Sequence, residues 1–258
     1  MNVISYFQSI PNSDFSKQSE DLIEVYKQSW IKHGWNPIVL NEEHSKRNEL
    51  FHKLDLDNRD ANFYKTIHST MWKYHRSCYC RLLAYCQYVR ENGSTLYSDY
   101  DVMNYGFTPN ILSSTKENSY FCRERAVVYL GKEGVMDIEQ AIIQFNNQPF
   151  QEGSERGSCN DMNIIIKYTK CFSLKLDEYN KQYCSNIEAD FLNNTLLVHY
   201  DGGCYRRGID RKFSRLQVIQ EHHRLRNVNC AKLYEDQQNK LKHQALTQDK
   251  NEDPFAVD

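Results

Sequence analysis

The stretch Ser94-Thr95-Leu96-Tyr97-Ser98-Asp99-Tyr100-Asp101-Val102-Met103-Asn104 organises the reading of this chain. It follows Gly93, which closes a helical pattern, and it opens on the β-favouring residues Thr95, Leu96 and Tyr97. Two carboxylates then come in an Asp-x-Asp arrangement. In an extended segment residues i and i+2 face the same way, so Asp99 and Asp101 are expected to converge on one point. Two hard oxygen ligands there suit Mg²⁺ or Mn²⁺, which keep several waters and take further ligands from substrate phosphates. The same pattern also occurs as an ordinary acidic strand end, so its surroundings decide between the two readings.

Upstream, residues 70–91 carry His75, Cys78, Leu82, Tyr85 and Val89 at spacings of three and four, the apolar face of a long helix. Arg81 falls on the edge of that face. A half-buried guanidinium needs an anionic partner, and a structural carboxylate, a phosphate or Asp99 itself would each suit its planar fork. Arg76 lies on another face and is expected in solvent. Residues 3–7 read as a first strand, followed by a turn at 11–14. A helix is marked by Leu22, Val25, Tyr26, Ser29 and His33 and stopped by Gly34, and a second strand follows at 37–40. This β-α-β opening predicts a parallel pair with a right-handed crossover. Residues 42–65 are polar and are expected as short helices and loops outside the core.

Downstream, strands are expected at 120–122 and 127–130, and a helix at 135–147 through Ile138, Ile142 and Phe145. A Gly/Ser-containing loop at 151–158 leads to Asn160 and Asp161, either of which can cap a helix over 162–168. Residues 196–200 form a strand that delivers His199 into an Asp201-Gly202-Gly203 turn. From Arg211 the chain turns helical and charged, and its last ten residues are expected as a disordered tail. Alternating strands and helices predict an α/β fold with a mostly parallel central sheet flanked by helices. It would comprise a domain over 1–210, a C-terminal helical appendage over 211–248 and the tail at 249–258. In such sheets ligands lie beyond the carboxyl ends of the strands, where Asp99, Asp101 and His199 are all expected.

Composition narrows the class. A chain of 258 residues with 40% hydrophobic and 26% charged content fits a soluble globular protein, and a net charge of −2 gives no electrostatic case for nucleic-acid binding. Nine cysteines, without Cys-x-x-Cys pairs or a histidine cluster at zinc spacing, suggest a reducing compartment. The N-terminus has no basic region followed by a long apolar run, and no stretch approaches the roughly 20 apolar residues of a membrane span. A cytoplasmic location is therefore expected.

Three segments resemble nucleotide-sugar glycosyltransferases of the GT-A fold. Ser29-Trp30-Ile31-Lys32-His33-Gly34-Trp35-Asn36-Pro37-Ile38-Val39-Leu40 is similar to the early helix-turn-strand of small capsular and mannosyl transferases. Arg81-Leu82-Leu83-Ala84-Tyr85, followed by Gly93 and Leu96 through Val102, resembles their arginine-bearing helix leading into a DXD strand. Val198-His199-Tyr200 resembles the late histidine strand that closes the metal site in many members. Where family members often have Gly-Gly before the DXD strand, this chain reads Glu91-Asn92-Gly93-Ser94.

The resemblance implies a sugar moved from a nucleoside diphosphate donor, a UDP-sugar by preference or a GDP-sugar, to a hydroxyl of a glycan or other acceptor. It implies Mn²⁺ or Mg²⁺ held by Asp101, Asp99 and His199. Donor contacts would come from Asp99, Arg81 and Arg206, with Arg207 beside it. In an inverting mechanism Asp161 is the candidate base for the acceptor hydroxyl; a retaining mechanism would need none. Two alternatives stay open from the residues themselves. One is a haloacid dehalogenase-like phosphatase with Asp99 as nucleophile, and the other is a non-catalytic sugar- or nucleotide-binding module.

Overall fold

The computed structural model describes residues 1–9, 14–58, 72–121, 126–147, 165, 169–174, 184–186, 196–200 and 215–226. Strand β1 (Asn2–Tyr6), helix α1 (Asp14–Ile31) and strand β2 (Asn36–Leu40) form the expected opening, with β1 and β2 parallel. Two short helices, α2 (Glu42–Lys46) and α3 (Glu49–Lys53), precede the long α4 (Trp72–Asn92). Strands β3 (Thr95–Ser98), β4 (Val102–Asn104), β5 (Ser119–Tyr120) and β6 (Val127–Leu130) come next, and then helix α5 (Lys132–Asn146). Strands β7 (Ser173–Leu174), β8 (Cys184–Asn186) and β9 (Leu197–His199) precede helix α6 (Arg215–Arg226). Gly34 and Gly93 both take φ +84°, the left-handed conformation that ends α1 and α4 without a Cβ penalty.

The central sheet has the order β2-β1-β3-β6-β5-β7. Only β6 runs against its neighbours β3 and β5, so the other five strands share one direction, as the α/β alternation predicts. Pro37, which lacks an N–H, is accommodated because β2 is an edge strand. A second sheet of order β4-β9-β8 pairs β9 antiparallel to β4 and parallel to β8.

Side chains alternate across the central sheet. Ile4, Tyr6, Tyr97, Val128 and Leu130 pack with α3, α4 and α5 on one face. Val3, Leu96 and Val127, each one residue out of phase, pack with α1, β4, β9 and α6 on the other. The segment expected outside the core contributes to it: Leu50, Phe51 and Leu56 are buried against α4. The reason is that α4 is covered on more than one side. Besides the expected face, Tyr79, Cys80, Leu83, Ala84 and Cys86 are fully buried, a pattern wider than a single amphipathic stripe.

Arg76 is likewise not in solvent. Its Nη1 and Nη2 donate to the two carboxylate oxygens of Glu42 at 2.9 Å each, Nη2 also donates to Asp57 at 2.6 Å, and Nε donates to the Leu56 carbonyl at 2.9 Å. A buried arginine is stable because all three partners come from the polar segment that folds back over α4. Cys78, Cys80 and Cys86 are buried free thiols, and burial pushes the Cys80 thiol up to about 11. The expected loop at 151–158, the cap at Asn160, the turn at Gly202-Gly203 and the tail at 249–258 lie outside the described residues.

Candidate active site

Asp99 and Asp101 do converge, but not by strand alternation. β3 ends at Ser98 and β4 begins at Val102, so the two aspartates occupy the corner where the chain leaves the central sheet for the second one. The Val102 N–H donates to the Asp99 carbonyl at 3.0 Å, closing a β-turn over residues 99–102. Each side of the corner is fastened. The Asp99 N–H extends the β3–β6 ladder to the Ala126 carbonyl at 2.8 Å, and the Tyr200 N–H donates to the Asp101 carbonyl at 2.9 Å. The Trp30 indole N–H on α1 donates to the Val102 carbonyl at 3.1 Å, and Ser29 Oγ accepts from the Asn104 N–H at 3.1 Å. α1 therefore holds the start of β4 in place. Asn104 then folds the following turn over itself, accepting from the N–H groups of Gly106 and Phe107 at 2.9 and 2.8 Å.

His199 comes from β9 of the second sheet, where it is the register partner of Val102. That pairing carries its imidazole to the corner: Nε2 lies 3.3 Å from Asp101 Oδ1. One ligand atom each from Asp99, Asp101 and His199 lies within 4.8 Å of the others. Two carboxylate oxygens and one imidazole nitrogen at such separations could hold a divalent ion.

Arg81, on α4, reaches the same corner, and its Nη1 donates to Asp99 Oδ1 at 2.9 Å. Of the partners open to it from sequence, the structure supplies the Asp99 carboxylate. Beneath Asp99 the rings of Tyr85 and Tyr97 stack with centroids 4.4 Å apart. Burial, reinforced by the nearby Asp99 charge, pushes the Tyr85 phenol well above its ordinary value.

A residue not foreseen from sequence completes the cluster. Arg215, the first residue of α6, donates from Nη1 to Asp101 Oδ2 at 3.2 Å. Its only sequence signal is a positive charge at the start of a charged helix, which does not name a partner 114 positions away. Burial pushes the Asp101 carboxyl up, but His199, Arg215 and Arg81 outweigh burial and hold it below its ordinary value. Behind this residue Tyr200 hydrogen-bonds with both the Tyr105 hydroxyl and His222 Nδ1, tying β9 to α6. Asp161 and Arg206 lie outside the described residues.

No family model matches the sequence, and no curated protein matches it. Among solved structures, the chain is similar to a glycosyltransferase involved in glycosylation of the major capsid of PBCV-1. The TM-score is 0.42 at 12% identity, over 86% of this chain and 98% of the other. It is also similar to the glycosyltransferase GlyE of Streptococcus pneumoniae TIGR4, with TM-score 0.44, 16% identity and 86% of this chain covered, and to its apo form, with TM-score 0.41 and 14% identity. The chain spans 59% of the length of GlyE. All three solved structures are of glycosyltransferases.

Proposed function

We propose that this chain is a metal-dependent glycosyltransferase that moves a sugar from a nucleoside diphosphate donor to a hydroxyl of a glycan or other acceptor. The observation that carries the reading is the meeting of Asp99, Asp101 and His199 at the corner between two sheets, flanked by two guanidiniums. Asp99, Asp101 and His199 would hold the ion, and the imidazole favours Mn²⁺ over Mg²⁺. When bound, such an ion offsets the negative charge that develops on a departing diphosphate. Arg81 fixes the Asp99 carboxylate in the geometry the site requires, and burial of the cluster strengthens every one of these interactions. Asp161 would take the proton of the acceptor hydroxyl in an inverting reaction, and Arg206 would contact the donor phosphates.

In this reading residues 1–210 form a GT-A-like catalytic domain, with 211–248 as its helical appendage. The donor is a UDP-sugar by preference or a GDP-sugar, the transferred group is a hexosyl or pentosyl residue, and polysaccharide biosynthesis in the cytoplasm is the setting. Among the described residues no helix is long and apolar enough to cross a membrane. The phosphatase alternative is less favoured because the carboxylate that would act as nucleophile, on Asp99, is paired with Arg81 rather than presented alone. The test is incubation with a panel of nucleotide sugars and Mn²⁺. Slow hydrolysis of one donor, abolished by chelator, supports the reading, whereas phosphate release from simple esters with no donor turnover overturns it.

A further inference from the structure

Both carboxylates of the corner already hold a cation. Arg81 Nη1 lies 2.9 Å from Asp99 Oδ1, and Arg215 Nη1 lies 3.2 Å from Asp101 Oδ2 while His199 Nε2 approaches the other oxygen, Oδ1. Among the described residues, two carboxylates thus face two guanidiniums, and none of these four side chains is more than 19% exposed. A divalent ion entering alone would bring two uncompensated charges beside two arginines in a poorly solvated site, which is costly. A diphosphate entering alone would meet two carboxylates. Entering together, the two cancel, and the anion offers a new partner to whichever arginine the ion displaces.

The geometry selects Arg215 for that displacement. Its bond to Asp101 is the longer of the two, and it stands at the first position of α6. The helix itself is held elsewhere on the same face, since Ile219 is fully buried and His222 bonds Tyr200, at spacings of four and three. We propose that Arg215 is an exchangeable counter-ion, holding Asp101 in the metal-free protein and passing to the diphosphate when ion and anion bind together. Metal and diphosphate then bind cooperatively, and neither binds well alone. This rests on Asp99, Asp101 and His199 being the metal ligands.

Calorimetric titration of the full chain with MnCl₂ alone, with inorganic pyrophosphate alone and with preformed manganese pyrophosphate tests the exchange. Wild type should take the preformed complex at least about tenfold more tightly than either component, the scale set by one charge-assisted hydrogen bond. Arg215→Gln, which removes the competitor for Asp101, should bind Mn²⁺ alone about tenfold more tightly than wild type and bind the complex more weakly. A merely structural role would weaken both. Arg215→Lys keeps the charge and should match wild type for Mn²⁺ alone. Unchanged or weaker Mn²⁺ binding in a folded Arg215→Gln variant overturns the proposal. Should that variant fail to fold, the wild-type titrations decide, and equal affinity for Mn²⁺ with and without pyrophosphate overturns it while leaving the metal site standing. If wild type takes up neither Mn²⁺ nor the complex, the metal-site reading itself falls.

Discussion

Asp101 is the most constrained carboxylate of the site, since Arg215 approaches one oxygen and His199 the other while Tyr200 fixes its backbone. Asp101→Asn keeps the shape but removes the charge, so it separates ligation from packing. In the presence of pyrophosphate, Mn²⁺ affinity should fall by more than the roughly 10- to 100-fold typical of outer-shell changes, read from the free Mn²⁺ resonance signal; a signal equal to that of wild type under the same conditions would exclude ligation. His199→Ala should instead change selectivity. Imidazole is a good ligand for manganese and a poor one for magnesium, so the variant should lose its preference for Mn²⁺ while retaining weak Mg²⁺ binding. Equal preference in variant and wild type would make His199 a packing residue. Both aspartates could be found from sequence because the motif is local, although the reason they converge was not. Alternation predicts an extended segment, while the chain breaks from one sheet to the other between Ser98 and Val102. Arg215 left no local trace, because its role depends on where a distant helix docks.

Helix α4 and the segment over residues 42–58 depend on each other through Arg76. The polar composition of that segment conceals Leu50, Phe51 and Leu56, and the arginine that would be solvated on a one-sided helix becomes the anchor of a covered one. Arg76→Ala removes the bidentate donor of Glu42, leaving it only Gln8 and Lys46, and takes the Nε donor from the Leu56 carbonyl. The expected cost is about 3 kcal/mol, the lower end for breaking a buried pair, and Arg76→Lys should recover only part of it because an ammonium lacks the fork. Denaturant melts of the three proteins measure this. The loss should also depend on pH. Hydrogen bonds from Arg76 hold the Glu42 carboxyl below its ordinary value despite burial, with Lys46 assisting. A depressed folded value means that the unfolded chain takes the proton first. The stabilisation is therefore complete above the ordinary carboxylate range and is lost as pH falls through the lowered folded value. The gap between wild type and Arg76→Ala should stay flat from pH 7 to about 5 and narrow below about pH 4. A gap that instead widened in acid would show that Glu42 is not the partner that matters.

The central sheet makes one object of two cores. Strand periodicity was enough to expect a buried sheet with helices on both sides, since Val3 and Ile4, Leu96 and Tyr97, and Val127 and Val128 each split between the two faces. The strand at 196–200 was expected and is β9, but its membership of a second sheet was not foreseen, because its partners β4 and β8 are three residues each, too short for a periodic signature. That sheet nevertheless belongs to the same face as α1, where Trp30 and Trp35 pack against Phe107 with centroids 6.3 and 5.9 Å away. Strands shared by both faces leave no plane along which one core could open alone, so unfolding should be a single transition. Leu83→Ala tests this from the opposite side in a Trp72→Phe background, which removes the tryptophan on α4 and leaves Trp30 and Trp35 to fluoresce, because Leu83 is fully buried among α4 and α5 residues and belongs to the other cluster from those two. A leucine-to-alanine cavity costs about 2–5 kcal/mol, and at about 2–4 °C per kcal/mol for a chain of this class the midpoint should drop by about 5–15 °C. The midpoint from tryptophan fluorescence should fall by the same amount as that from far-ultraviolet circular dichroism, although the mutation touches neither Trp30 nor Trp35. If fluorescence kept the midpoint of the Trp72→Phe background while dichroism shifted, the faces would unfold independently and the sheet would not couple them.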